Sequence, residues 1–160
     1  MTAAVREPDA FSVRKSNEMA GTWNLAGVID EGADLSFLER LSGPTRLNMH
    51  GVRRINSYGV RAWIEAVRKV PVDVAFELIE CPPSVVDQIN MVAGFTGRGR
   101  VTSFFAPMIC DKCGCEKEEL FLTEDYRSQR RLPDVKCPRC AAVMQVDDLE
   151  EQYLLFAREP

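Results

Sequence analysis

The sequence predicts an α/β fold with a short, cysteine-clamped segment attached at its carboxyl end. Up to residue 106, segments with strand-like alternation are interleaved with segments whose apolar residues recur at helical spacing. Beyond residue 108, two Cys-x-x-Cys pairs occur. The composition, 46% hydrophobic and 28% charged, is typical of a globular chain and excludes a disordered one.

The first part of the predicted fold consists of two strands, a short helix and a third strand. Asp34 is a candidate cap for the helix, because Leu35, Leu38 and Leu41 recur after it at helical spacing. Gly43-Pro44 ends that helix. The strands are predicted at residues 11–15, 22–29 and 45–49.

Two helices and two strands follow in alternation. Asn56 or Ser57 can cap the first helix, which is predicted to reach residue 69 and to end before Pro71. The second helix starts at Pro82-Pro83-Ser84, and Gly94 suits its left-handed end. The predicted strands cover residues 72–79 and 100–105. The resulting order, ββαβαβαβ, is that of an α/β layer fold.

Four cysteines in two Cys-x-x-Cys turns predict one structural zinc ion. Each turn directs two thiolates at one point, and two turns complete a tetrahedron. Four sulfur ligands leave no open position for a catalytic water. Cys115 could replace Cys113, but the matching spacing of the two turns favours Cys113; Cys81 is predicted to be a small buried hydrophobe. The predicted ligands are Cys110, Cys113, Cys137 and Cys140.

The charge balance and the first residues of the chain predict a cytoplasmic protein that does not bind nucleic acid non-specifically. No apolar run approaches the roughly 18 residues that span a bilayer, and the first ten residues do not resemble a signal peptide. In a reducing compartment, paired cysteines indicate metal rather than disulfides. The net charge is −4, and residues 1–108 carry twelve basic and twelve acidic side chains. Neither part has the basic excess that non-specific nucleic-acid binding requires.

Four short motifs are spread over the first part of the chain, namely Leu25-Ala-Gly-Val-Ile-Asp30, Leu47-Asn-Met-His-Gly51-Val, Ile55-Asn-Ser-Tyr-Gly59-Val and Met91-Val-Ala-Gly94-Phe. Together they resemble the STAS domain family, the bacterial anti-sigma-factor antagonists and their relatives. They occur in the family's order over roughly residues 10–106. We therefore predict a STAS-like mixed sheet with helices at residues 8–107 and a zinc ribbon at 108–160. Asp148-Leu-Glu-Glu151 resembles a capping box, so the ribbon ends in a helix or, alternatively, a closing strand.

The resemblance implies a protein-binding module with an altered switch loop. In the family, a partner kinase phosphorylates the second serine of the loop before the second helix. Here Tyr58 takes that serine's position, Ser57 matches the serine before it, and Asn56 replaces the family's aspartate. We therefore expect the module to bind through Asn56, Ser57, Tyr58 and Arg61 without the standard phosphoserine. Tyr58 is either a hydrophobic anchor for the partner or a ring packed on its own sheet.

The predicted function is that of a non-enzymatic cytoplasmic regulator or adaptor. By resemblance, its partner is a kinase-like ATPase, a transporter subunit or a larger signalling assembly, and a homodimer remains open. His50 is the only histidine, and we interpret it as structural or superficial, because no catalytic arrangement surrounds it in sequence. The alternative is a nucleic-acid-binding zinc ribbon with a STAS-like dimerisation module. Its candidate contacts are Arg127, Arg130, Arg131, Lys136 and Arg139.

Overall fold

A computed structural model describes residues 10–158 and confirms the α/β fold class. The strands are β1 (Ser12–Lys15), β2 (Thr22–Ile29), β3 (Thr45–Ile55), β4 (Phe76–Ile79), β5 (Arg100–Val101), β6 (Ser103–Ile109), β7 (Glu116–Leu122) and β8 (Gln145–Val146). A 3-10 helix (Ser36–Arg40) precedes the helices α1 (Ser57–Arg68), α2 (Pro83–Met91), α3 (Thr123–Gln129), α4 (Glu150–Tyr153) and α5 (Leu155–Arg158). None of the helices within residues 10–158 is long and apolar enough to cross a bilayer.

The eight strands form two sheets. The first has the order β1-β2-β3-β4-β5, in which β1 runs antiparallel to β2 and all other pairs are parallel. The helices α1 and α2 form the crossovers that parallel neighbours require. The second sheet, β7-β6-β8, is antiparallel.

The strand predicted at 100–105 joins the two sheets. The strand is interrupted at Thr102, whose N–H donates to the Leu78 carbonyl at 3.0 Å, and it continues beside the segment that follows β4. There the Cys81 N–H donates to the Ser103 carbonyl at 3.2 Å, and the Phe105 N–H donates to the Cys81 carbonyl at 2.8 Å. The chain then runs on to Ile109 as β6. The boundary drawn at 107/108 therefore falls inside one strand.

The strand predicted at 72–79 is shorter than expected. It starts only at Phe76, because residues 71–74 form a turn in which the Val74 N–H donates to the Pro71 carbonyl at 2.9 Å. Val72 is 89% exposed. The Arg98 guanidinium holds the turn through hydrogen bonds to three of its carbonyls. Conversely, β3 is longer than predicted. It ends at Ile55 rather than at Met49, because its second half also pairs with β2.

One hydrophobic core serves both parts of the chain. Trp63 is fully buried, and its indole N–H donates to the Phe95 carbonyl at 2.8 Å. Phe104 is also fully buried and contacts the rings of Phe121 and Phe156. The same cluster includes residues around the cysteine turns, namely Cys110, Leu132, Val135, Cys137 and Met144.

The carboxyl end forms two helical turns rather than a strand. Tyr153, Leu154 and Ala157 are buried, and the Tyr153 hydroxyl donates to the Phe105 carbonyl. The expected capping box is wrong, since the Asp148 carboxylate accepts only the N–H of the adjacent residue and Leu149 stands at the cap without a side-chain bond. Leu149 is 64% exposed.

Candidate metal centre and partner-binding loop

Two turns of the same backbone design present the four clustered cysteines. In the first, the Cys110 N–H donates to the Cys115 carbonyl, and the Gly114 N–H donates to the Cys110 carbonyl, both at 2.8 Å. In the second, the Cys137 N–H donates to the Ala142 carbonyl at 2.7 Å, and the Ala141 N–H donates to the Cys137 carbonyl at 2.9 Å. Gly114 has φ +77° and Ala141 has φ 62°, so both turns close through a left-handed residue.

The four sulfurs of these turns converge on one point. The sulfur atoms of Cys110, Cys113, Cys137 and Cys140 all lie within 4.8 Å of one another. Across the two turns, Cys110 Sγ lies 3.5 Å from Cys140 Sγ, and Cys113 Sγ lies 3.5 Å from Cys137 Sγ. The cysteines are free of disulfides. This cluster could hold a metal ion.

One cysteine of each turn favours the thiolate form, Cys110 in the first and Cys137 in the second. The Cys115 N–H lowers the pKa of Cys113, but the hydrogen bond of Cys113 with the Cys137 thiol and burial outweigh this effect and raise that pKa to about 12 instead. The Arg139 N–H lies 3.4 Å from Cys137 Sγ. Burial opposes ionisation of Cys137, but the N–H groups of Cys140 and Arg139 and the neighbouring thiols outweigh it and lower its pKa to about 6. The backbone N–H of Cys113 leads the groups that lower the pKa of Cys110. Deprotonated sulfur is the form that binds metal.

Cys115 and Cys81 lie outside the four-sulfur cluster. Cys115 contributes its carbonyl to the first turn, and its pKa is raised by burial and by the Cys137 thiol. Cys81 is fully buried beside β6, and burial raises the pKa of its thiol. Cys81 therefore has the buried, protonated character expected of a core residue.

The predicted partner-binding loop lies at the amino end of α1, where β2 and β3 end. The Asn56 side chain caps the helix, since its Oδ1 accepts the Gly59 N–H at 2.8 Å. Its amide donates to Glu31 Oε2 at 3.2 Å, and its own N–H donates to the Ile29 carbonyl at 3.2 Å. Of the two predicted caps, Asn56 is the one used.

Gly59 locks this loop against the sheet. A Cβ on Gly59 would lie 1.9 Å from the carbonyl oxygen of Ile29. The helix thus starts in direct contact with β2, and only glycine allows that approach. The loop is consequently held at both the cap and the first helical turn.

The remaining loop residues project outward. Tyr58 is 69% exposed, so its ring does not pack on its own sheet, and Ser57 and Arg61 are also exposed. Glu31 also belongs to this loop region, since it accepts the Asn56 amide, and the sequence analysis did not identify it. Hydrogen bonds from its own backbone N–H and from the Asn56 amide lower the pKa of Glu31. Its position directly after a predicted strand was the available signal, because carboxyl ends of parallel strands meet at one edge.

Two other groups of predicted residues are separate from this loop. His50 is exposed on β3, and its ring stacks on Phe105 with centroids 4.6 Å apart. Among the basic residues of the alternative nucleic-acid hypothesis, Arg127 Nε donates to the Ala157 carbonyl at 3.2 Å, and Arg131 pairs with Asp134 at 2.9 Å. Those two arginines are therefore engaged within the chain.

Comparison with protein-family models, with curated proteins and with solved structures finds no match to this chain. The functional argument accordingly depends on the geometry of the two sites.

Proposed function

We propose that the four-cysteine cluster binds one structural zinc ion. Sulfurs placed about 2.3 Å from a central ion at tetrahedral angles lie about 3.8 Å apart, and the observed separations of 3.5 Å and up to 4.8 Å bracket that value. Four thiolates suit zinc and other soft ions rather than magnesium or calcium. With four protein ligands, the ion has a structural role.

Metal analysis of the purified full-length chain tests this assignment. We expect one zinc per chain, and we expect Cys140→Ser to lower the zinc content at least tenfold. Cys115→Ser is the matched control and should keep the metal, because Cys115 lies outside the cluster. A metal-free wild-type chain that remains folded in strong chelator would refute the site.

We further propose that the chain is a non-enzymatic adaptor that binds a protein partner through the loop Asn56, Ser57, Tyr58 and Arg61. The observation that carries this proposal is the 69% exposed Tyr58 on a helix start that is fixed by a cap and a glycine contact. A rigid, exposed aromatic with a polar tip binds a partner at low entropic cost. The parallel sheet with α1 and α2 as crossovers supports the STAS-like interpretation of residues 8–107.

Comparative capture from the native cell tests the loop. Tyr58→Asp places a charge at the centre of the proposed surface, and we expect it to remove one or more captured proteins while the fold persists. Val72→Asp is the matched control, since Val72 is an exposed apolar residue on the turn beyond the other end of α1. If wild type and both variants capture the same proteins in the same amounts, this loop is not the binding surface.

A further inference from the structure

A groove lies between α2 on one side and the helical turns α4 and α5 on the other. Its volume is about 410 Å³. Apolar side chains on both walls face solvent, since Met91 on α2 is 71% exposed and Leu155 on α5 is 48% exposed. Exposed apolar side chains beside polar ones mark surfaces that bind other proteins, and methionine adapts readily to the shape of a partner. We refer to this feature as the α2 groove.

Asn90 joins the two walls of the α2 groove. Its side-chain amide donates to the Tyr153 carbonyl at 2.8 Å, and its Oδ1 accepts the Phe156 N–H at 3.0 Å. Tyr153 is buried, and its hydroxyl donates to the Phe105 carbonyl. The groove is thus preformed, so a partner that enters it does not have to order its walls.

The charged side chains that line the α2 groove are both acidic. Asp87 belongs to α2 and Asp148 precedes α4, and both are exposed. Within the part of the chain that the structure describes, neither carboxylate takes part in an ion pair. Burial and then the Asp148 carboxylate raise the pKa of Asp87, which is the effect of two like charges without a cation between them.

The surroundings of the groove are also negative. Burial first, and then carboxylates that include Asp87 and Glu118, raise the pKa of the lining residue Tyr153. Arg158 is the basic residue of α5, and it pairs with Glu151 at 4.0 Å. Two exposed arginines of β3, the strand that packs against α2, are not among the lining residues, namely Arg53 and Arg54.

We infer that the α2 groove binds a basic amphipathic helix of a partner protein. A groove between helices accepts the side-chain ridge of a third helix. Apolar residues of that helix would cover Met91 and Leu155, and its lysines or arginines would neutralise Asp87 and Asp148. A nucleic acid or an acidic helix would be repelled by the same carboxylates.

This inference does not depend on the loop that carries Tyr58. Among the residues that line the α2 groove, none belongs to that loop. The two surfaces therefore have separate tests, and Tyr58→Asp should leave binding to the groove unchanged. Failure of either surface would not decide the other.

Fluorescence anisotropy of the full chain with labelled peptides tests the groove. The probe is a helical peptide of leucine, lysine and alanine in which the leucines and lysines share one face. Two further peptides serve as comparisons, one with glutamate for every lysine and one with the same composition in scrambled order. At physiological ionic strength, we expect the lysine peptide to bind at least about tenfold more tightly than either comparison peptide, because only it matches both the charge and the apolar face.

Substitutions in the groove locate the binding. Met91→Lys and Asp87→Lys should each weaken binding of the lysine peptide about tenfold. Val72→Lys and Asp73→Lys are the matched controls, since they make the same changes of side chain and charge at exposed positions outside the groove. The double variant Asp87→Lys and Asp148→Lys should bind the glutamate peptide in preference to the lysine peptide. Far-UV circular dichroism verifies each fold, and a misfolded Met91→Lys would be replaced by Met91→Ser.

Four results would each overturn the inference. The first is no binding of the lysine peptide, and the second is equal binding of the scrambled peptide. The third is a loss of affinity in the groove variants that does not exceed the loss in Val72→Lys and Asp73→Lys. The fourth is self-association of the chain that Met91→Lys abolishes, because the occupant of the groove would then be a second copy.

Discussion

At the scale of single residues, Gly59 is the most constrained position of the loop that carries Tyr58. Gly59→Ala forces a methyl carbon to within 1.9 Å of the Ile29 carbonyl oxygen, so either α1 or β2 must shift. Overpacking of this kind costs about 3 kcal/mol or more. Chemical denaturation measures the loss in unfolding free energy.

Gly32→Ala is the matched control for that substitution. A Cβ at Gly32 would meet only the Asp30 carboxylate, at an ordinary 3.4 Å. We expect a change within about 0.5 kcal/mol. Equal effects at the two glycines would contradict the close contact between α1 and β2.

A second residue-scale prediction concerns the helix cap. Asn56→Ala removes the acceptor of the Gly59 N–H and the amide that donates to Glu31, so we expect a loss of about 1 kcal/mol. Asn56→Ser keeps a capping oxygen and should lose only part of that amount. Thermal unfolding of the three proteins compares them, and an unchanged midpoint for Asn56→Ala would mean that the cap contributes nothing.

At the scale of elements, sequence patterns predicted the positions of α1 and α2 and the two cysteine turns, because these signals are local; Gly94 as the end of α2 was wrong, since α2 ends at Met91. The capping residue Asn56 and the two matching Cys-x-x-Cys turns can be read within a few positions. The limits of β4 could not be read locally. Residues 72–75 alternate like a strand but form a turn, which Arg98 holds from a distant segment. The continuation of β5 into β6 likewise depends on hydrogen bonds with Cys81.

Removal of the proposed zinc ion should loosen the cysteine turns and leave the parallel sheet intact. Four thiolates without an ion repel one another or bind protons, whereas β2, β3 and β4 are held by their own ladder and by α1 and α2. We expect amide exchange in chelator to increase first at residues 110–115 and 137–142. Equal acceleration in the turns and in β3 would indicate that the ion holds the whole fold.

At the scale of the whole molecule, the sheet and the cysteine segment share too much structure to be separable. Phe104 and Ala106 on β6 are fully buried, and Phe104 packs against Phe121 and Phe156, both beyond the boundary drawn from motif resemblance. A fragment of residues 1–107 would expose those side chains, would end inside β6 and would lose both strand partners of β6, β7 and β8. The motifs could not reveal that residues beyond 107 bury the side chains of β6, because a motif does not specify which elements pack against a strand.

We therefore expect the fragment 1–107 to fail as an independent unit. The loss of the contacts made by Phe121, Tyr153 and Leu154 removes several large buried side chains, each worth about 2 kcal/mol, which is a large share of the stability of about 5–15 kcal/mol typical of a domain. Heteronuclear NMR of the fragment should show poor amide dispersion, and its thermal transition should be broad. The full chain with Cys140→Ser is the matched control, because it removes one ligand of the proposed ion but keeps every buried side chain of α4, α5 and β7. It should retain a dispersed spectrum for the parallel sheet. A well-dispersed spectrum and a sharp transition for the fragment would instead establish residues 8–107 as a domain in their own right.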